Sequence, residues 1–491
     1  MLYDIISGYT SQDICPMHMP GHKRNTGLLG EGLPYKIDIT EINGFDNLHN
    51  TTGILKETAG LACALYGSRK SFLLINGSTG GILAAVRGTV RRGDKIIMAR
   101  NCHKSVFHAV ELCGLMTAYI VPENDAETGI QGSIAPEQVK SALDKNQDAK
   151  LVVITSPTYE GVISDIRAIS DIAHRRGIPV LVDEAHGAHL GFSEMFPGEA
   201  LGCGADITVT GLHKTLPALT QCSLLNIGGE IVDTNKIARQ LEVFETSSPS
   251  YVLMASIDQC VRLLTEYKTR LFRAYENNIR NFDDSIRNLS KLKVLCHGSD
   301  ALCRHGSFFG YDLGKIVVCA GSAKMTGRTL SELFRTQYGI EMEMAGASYA
   351  IAMTSICDTE KSFRRLADAI IDIDRKAEKD ESCGNGQHTY RLPEQLKPIC
   401  DALESEGQYM KPGEAAGAMS LEFVWAYPPG IPLIVPGEII STDLIGYMQT
   451  LASNDIELIG TGGKMPQLFY GKKVQSTRDA LTKRRRYDTI F

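Results

Sequence analysis

Between Ser71 and Gly211, short apolar runs alternate with segments of helical character, and this alternation leaves the chain few folds to choose from. "SFLLI" leads into "NGSTGGILAAVRGTVRRG", and "DKIIMA" into "RNCHKSVFHAVELCG". "AKLVVIT" leads into "SPTYEGVISDIRAISDIAHRRG", "IPVLV" into "DEAHGAHLG", and "DITVT" into "GLHKTLP". Strands this apolar cannot keep one face in water, and the intervening stretches are long enough for crossover connections. The pattern predicts a mostly parallel sheet covered on both faces, an α/β fold. In such sheets ligands bind beyond the carboxyl ends of the strands, so the polar residues that follow each apolar run are where chemistry is expected.

Further along, a long helical stretch is expected from Asn235 to about Leu292. "GKIVVCAGS", "RTLSELFRTQYG", "IEMEMAG", "SYAIAMTS" and "EKSFRRLADAIIDID" then read as strand, helix, strand, strand, helix. Phe363, Leu366, Ala367, Ile370 and Ile371 fall on one face of the last helix at helical spacing. The charged, aperiodic "RKAEKDESCGNGQHTY" reads as a linker, and the rigid "YPPGIPLIVPGE" belongs to a further C-terminal unit. The expected division is an N-terminal segment 1–50, a large domain 51–292, a small α/β domain 293–376, a linker 377–390 and a C-terminal α+β domain 391–491. No internal repeat is evident.

Composition narrows the function classes. A net charge of −6 gives nucleic acid and anionic membranes little to attract them, and the basic "KRRRY" near the end reads as a solvated tail. The 13 cysteines include no C-x-x-C pair, which suits a reducing cytoplasm better than a disulfide framework or a zinc ribbon. Neither a secretory signal nor an apolar run of membrane-spanning length is seen.

The strand ends carry the candidate chemistry. "NGSTGG" sets Gly77, Ser78 and Thr79 between a strand and a helix, where small residues, hydroxyls and helix amides can cradle a phosphate. The G-K-[ST] ending of a P-loop is missing, and a plain tight turn would look much the same. His103 of "RNCHKS" could stack on a planar ring or simply be a hydrogen-bonded loop histidine. Asp183 ends a strongly apolar strand, where an unpaired carboxylate is costly, so it needs a cation or a metal. His186 and His189, beside Asp183 and Glu184, offer a metal-ligand alternative, although Gly187 between them disfavours a regular helix. Lys214, flanked by His213 and Thr215, is either a solvated loop charge or a nucleophile. Pyridoxal 5'-phosphate (PLP) would use all of these groups at once: a lysine for its aldehyde, a carboxylate for its ring nitrogen and a small-residue cradle for its phosphate.

"MPGHKRN", "DITEINGFDNLH", "FLLINGSTGG", "RNCHKS", "SPTYEGVISD", "DEAHGAHLG", "GLHKTLPALTQ" and "YPPGIPLIVPGE" together resemble the prokaryotic Orn/Lys/Arg decarboxylases, from about residue 15 to about 465. The resemblance implies the aspartate-aminotransferase-like fold type I of PLP-dependent transferases and enzymes that remove CO₂ from a basic amino acid. It implies Lys214 as the Schiff-base lysine, Asp183 as the pyridinium partner and His103 on the ring. Ser78, Thr79 and His213 would lie near the phosphate, with Gly77 and Ala185 also at the cofactor. It further implies a homodimer or higher homo-oligomer, with the "PGHK" segment (Pro20 to Lys23) approaching an active site across the interface. So little chain precedes this segment that the N-terminal wing domain of the long members is expected to be absent, so their assembly into large rings is not carried over to this chain. Long members often carry Trp after "DEA", where this chain has His186.

The distal cation of the substrate should meet a carboxylate. Glu438 of "VPGE" is the first candidate, Asp46 and Glu160 are alternatives, and His186 is a further possible substrate contact. Arginine is favoured over lysine and ornithine. The competing expectations are an aminotransferase or other lyase on the same fold, and a non-catalytic PLP-binding paralogue.

Overall fold

The structure, a computed structural model, describes residues 1–12, 17–20, 22–125, 127–300, 305–379, 392–427, 431–453, 456–460 and 467–474. Gly21 of "PGHK", most of the expected linker, residues 428–430 of the Pro-rich loop and the "KRRRY" tail lie outside the described residues. Helices α1 (Leu2–Thr10), α2 (Thr26–Leu29) and α3 (Ile54–Tyr66) precede the sheet.

The apolar runs form β1 (Lys70–Leu74), β2 (Lys95–Ala99), β3 (Met116–Ile120), β4 (Ala149–Thr155), β6 (Val180–Asp183) and β7 (Ile207–Thr210). A two-residue β5 (Val162–Ile163) lies outside the main sheet, and β8 (Ser223–Ile227) joins it as a strand the sequence pattern had not singled out. The seven-stranded sheet has the order β1-β8-β7-β6-β4-β2-β3. Strands β3, β2, β4, β6 and β7 pair in parallel, while β8 is antiparallel to both β7 and β1. Strand β1 therefore runs with the parallel set, and one strand of seven is reversed.

Side-chain alternation divides the interior in two. Leu74, Leu225 and Ile227 face one apolar cluster, shared with Ile82 and Val86 of α4 (Gly77–Thr89), Val106 and Phe107 of α5 (Lys104–Cys113), Val139 of α6 (Pro136–Lys145) and Ile169 of α7 (Ile166–His174). Leu73 and Leu224 face the other, with Leu55 and Ala62 of α3 and Leu212 of α8 (Leu212–Thr215). The helix expected over 235–292 is two helices, α9 (Thr234–Phe244) and α10 (Tyr251–Ser285). "ETSSP" separates them: Pro249 disfavours helical backbone at the residue before it, and Ser250 caps α10 by accepting from Leu253 N (3.5 Å).

The next unit is a four-stranded antiparallel sheet, order β12-β13-β11-β9, made of β9 (Lys293–Val294), β11 (Lys315–Cys319), β12 (Met344–Ala345) and β13 (Tyr349–Met353). Strand β10 (Gly310–Tyr311) pairs instead with β5 and stitches this unit to the large one. Helix α11 (Gly327–Tyr338) follows β11, and α12 (Glu360–Lys376) buries Phe363, Leu366, Ala367 and Ile370 as its spacing predicts. Ile371 is only half-buried, and Ile373 completes the apolar face instead.

The C-terminal unit holds two three-stranded sheets and a helix over Thr442–Ser453. It docks on the edge of the large sheet. Phe423 and Trp425 stack on each other (5.0 Å) and meet Phe107 edge-on at 6.4 and 5.9 Å. Arg100 lies over Phe107 and Tyr119, donates to Pro432 O (2.8 Å) and pairs with Glu438 Oε2 (3.1 Å). Glu438 is fully buried and also accepts from Val435 N (2.8 Å). Its candidacy for the substrate cation is therefore corrected: the rigid Pro–Gly turn aims the carboxylate inward, at an arginine of the large unit. Removing one member of such a pair leaves an uncompensated buried charge. Glu438→Ala is expected to lower unfolding free energy by about 3–5 kcal/mol in urea titrations, with Arg100→Met/Glu438→Met recovering most of it.

Candidate active site

Four strand ends converge at one rim of the large sheet. Asp183 closes β6, in register with Thr155 at the end of β4 and Val209 of β7. Lys214 follows β7 on α8, His103 follows β2 as the N-cap of α5, and Gly77 opens α4 directly after β1. Gly77 has a φ of +67°, the left-handed conformation that favours glycine, which lets the chain turn sharply from strand into helix.

Gly211 shows how tightly these parts are gathered. A Cβ there would lie 2.7 Å from Ala185 O and 3.3 Å from both Lys214 Cδ and Ser78 Oγ. Ser78 Oγ lies 3.3 Å from Ser223 Oγ on β8, and His213 Nδ1 lies 2.9 Å from Cys222 O. Thr79, on the first turn of α4, is solvent-exposed. The strand missed in the sequence thus supports Ser78, and Cys222 just before it supports His213.

The electrostatics are those of a partly buried site crowded with titratable groups. Asp183 is 4% exposed; burial raises its pKa, against the pull of Lys214 and of Ala185 N–H, which donates to Oδ1 (3.2 Å). Burial lowers the pKa of Lys214, opposed by Asp183 and Glu343. Lys214 Nζ lies 2.9 Å from His186 Nε2. Burial and the Lys214 charge hold His186 well below the usual imidazole range, so its neutral ring accepts from the ammonium. Burial, with Lys214, Lys104 and His108, pushes His103 down to about 4. His103 Nδ1 accepts from Ser105 N (3.3 Å), so the neutral ring carries its proton on Nε2.

Three groups enter this neighbourhood that the sequence had not marked. Tyr159 packs its ring on His186 (4.6 Å between centroids) and donates its hydroxyl to Glu343 Oε1. Lys315, fully buried at the start of β11, reaches His186 O (3.4 Å) and Asp312 Oδ2 (3.7 Å). Tyr159 lay within a quoted motif, but Lys315 opened an apolar run and Glu343 sat in a stretch read only as a strand.

Other expectations separate. His189 Nε2 meets Asp312 Oδ1 (3.0 Å), and Glu184 accepts from Ala200 N (2.7 Å). The two histidines of "DEAHGAHLG" thus serve different carboxylate and lysine partners rather than one metal. Burial works to raise the Asp312 pKa, yet His189 and Lys315 hold it at about 2. Asp46 is corrected as a substrate contact: its carboxylate accepts from Thr52 N (2.7 Å), Gly53 N (2.8 Å) and Leu55 N (3.0 Å), which organises the turn before α3. Glu160 is buried and accepts from Tyr349 Oη (2.9 Å), beside Tyr159. In the N-terminal segment His22 pairs with Asp38 (3.1 Å) and Arg24 lies over Tyr9 (5.2 Å), contacts within that segment itself.

These residues suit PLP. A buried carboxylate of raised proton affinity, a lysine of lowered proton affinity and a glycine-opened space beside Ser78 match the ring nitrogen, aldehyde and phosphate of that group.

The chain is 33% identical over 460 residues to the arginine decarboxylase of Bacillus subtilis, spanning 91% of this chain and 92% of that one. The lysine decarboxylase of Francisella novicida superposes with a TM-score of 0.81 at 18% identity, covering 96% of this chain and 81% of that chain. A structure of SPT bearing PLP shares the fold at a TM-score of 0.52 and 14% identity, covering 68% of this chain and 79% of that chain. The fold is that of the fold type I PLP-dependent enzymes. Family matches cover residues 1–309, as the "Orn/Lys/Arg decarboxylase, major domain", and residues 399–461, as its "C-terminal domain". Alternating apolar strands, a lysine and a carboxylate at one sheet rim, and a C-terminal unit locked onto that sheet thus meet in one place: the chain belongs to the Orn/Lys/Arg decarboxylase family.

Proposed function

We propose that this chain is a carboxy-lyase that converts a basic L-amino acid to its amine and CO₂ with PLP as cofactor, arginine first and lysine or ornithine after it. The observation that carries this reading is the gathering of Lys214, Asp183, His103 and Ser78 at the carboxyl ends of the parallel strands. The name of the Bacillus subtilis relative supports arginine.

Lys214 would hold the cofactor covalently, Asp183 its ring nitrogen, and Gly77, Ser78, Thr79 and His213 its phosphate, with Ala185 lining the pocket. When bound, PLP supplies an electron-withdrawing ring that accepts the electron pair left at Cα as CO₂ departs. Around it the chain controls protons and water. His186, neutral, accepts from Lys214 Nζ and so fixes where the amine stands. His103, neutral with its proton on Nε2, would lie against the ring and is a donor for Cα, as is Lys214. Burial of Asp183 and His186 screens these two groups from water, which strengthens the interactions they make.

The same reading makes the protein a cytoplasmic homodimer or higher homo-oligomer serving polyamine-related metabolism, with the domain division given by the sequence. No helix among the described residues is long and apolar enough to cross a membrane. Incubation of the PLP-loaded protein with arginine, lysine and ornithine is expected to release CO₂ with one amine product per CO₂, fastest for arginine. Keto acid without CO₂ would instead mark an aminotransferase, and no turnover with an intact cofactor band a non-catalytic paralogue.

A further inference from the structure

The first sequence candidate for the distal cation of the substrate, Glu438, is taken by Arg100, and the alternative Asp46 by three backbone amides. The carboxylates that remain around Lys214 differ in availability. Asp183 and Glu184 are buried, the latter against Ala200 N, and Asp312 is shared between His189 and Lys315. Glu160 is buried and takes the Tyr349 hydroxyl.

Glu343 is different. It is solvent-exposed and stands on the small unit directly before β12, in contact with Tyr159 of the large unit. Tyr159 Oη donates to its Oε1 and so orients the carboxylate. A continuous set of contacts leads from it to the reacting lysine: Glu343 to Tyr159, the Tyr159 ring to His186 at 4.6 Å, and His186 Nε2 to Lys214 Nζ at 2.9 Å. The charge of Glu343 is also felt at Lys214 and at Lys315, which places it within electrostatic reach of the centre rather than on a remote surface. The half-buried Tyr159 ring beside the carboxylate adds an aromatic face, the second element that a guanidinium or ammonium favours.

We propose that Glu343, oriented by Tyr159, is the specificity-determining carboxylate that receives the distal cation of the substrate. This rests on the basic-amino-acid reading above. A carboxylate within electrostatic reach of Lys214 would reward a side chain that ends in a cation and leave an uncharged one without a partner.

Glu343→Gln tests this cleanly, because the amide oxygen still accepts from Tyr159 while the charge is gone. The PLP-loaded variant is expected to keep the near-visible cofactor band of wild type. Its kcat/KM for arginine, lysine and ornithine should fall by about 10²-fold, chiefly through KM, the scale of losing one charged hydrogen-bonded partner. L-norleucine, which lacks the cation, should bind both proteins equally, read from the spectral change on titration. Equal losses for norleucine and arginine, or no loss for either, overturn the assignment. If wild type releases CO₂ from none of the basic amino acids, the decarboxylase reading falls. The titrations then still decide the role of Glu343: weaker arginine binding with unchanged norleucine binding in the variant upholds it, and any other pattern overturns it.

Discussion

Lys214→Ala is expected to lose at least about 10⁴-fold in kcat, together with the near-visible band that borohydride would abolish in the wild type. The expectation follows from the position of the amine rather than from its presence in a motif. Lys214 sits one turn past β7, half-buried, with Asp183 and Glu343 sustaining its charge and burial working against it. Burial outweighs the two carboxylates and leaves its proton less tightly held than on an ordinary surface lysine, which is what a nucleophilic amine requires. The neutral His186 ring accepting from Nζ fixes the direction of attack. Lys214→Arg separates charge from nucleophilicity. It restores a cation beside Asp183 yet should stay as inactive as the alanine variant and lack the band. A Lys214→Ala protein with an unaltered spectrum would show that another residue carries the cofactor.

How much of this was legible beforehand depended on the range of the interaction. The parallel strands, Asp183 at the end of one and Lys214 just beyond the next, are encoded locally, because a fully buried strand must be apolar along its whole length. Strand β8 escaped notice because its apolar content does not reveal that it runs antiparallel, and because it follows directly on the loop that holds Lys214. The break between α9 and α10 is encoded in "ETSSPS", where Pro249 and Ser250 end one helix and start the next. Contacts made across the chain were out of reach. Arg100 and Glu438 are 338 positions apart, and nothing near "VPGE" says that its carboxylate points inward. Tyr159 and Glu343 are 184 apart, and an acid at the start of a short strand looks like any edge residue until the small unit is folded over the sheet. Pattern located the rim of the site, whereas the groups that line its mouth came from tertiary packing.

Asp183→Asn should separate activity from stability in opposite directions. The carboxylate is 4% exposed and its pKa is raised, burial outweighing the help from Lys214 and Ala185 N–H. A raised folded-state pKa means that the native protein holds its proton to higher pH than the unfolded chain does. Stability is then lost as pH rises from the unfolded value through the folded one, and above that window the apo protein bears the cost of an under-compensated buried charge. Asparagine keeps the shape and the acceptor for Ala185 N–H without the charge. The apo variant is therefore expected to melt at or above the temperature of apo wild type at neutral pH, and to lose that part of the pH dependence. Loading should reverse the order, since only the wild type offers a negative partner to a protonated ring nitrogen. The gain in melting temperature on adding PLP should be larger for wild type, and kcat of the variant should fall by about 10²- to 10³-fold, the usual scale for removing one preorganised electrostatic partner. Scanning calorimetry of apo and loaded forms from pH 5 to pH 9 reads both effects. An apo variant markedly less stable than wild type would mean that Asp183 serves the fold. Equal stabilisation of both proteins by PLP would mean that the carboxylate does not face the ring nitrogen.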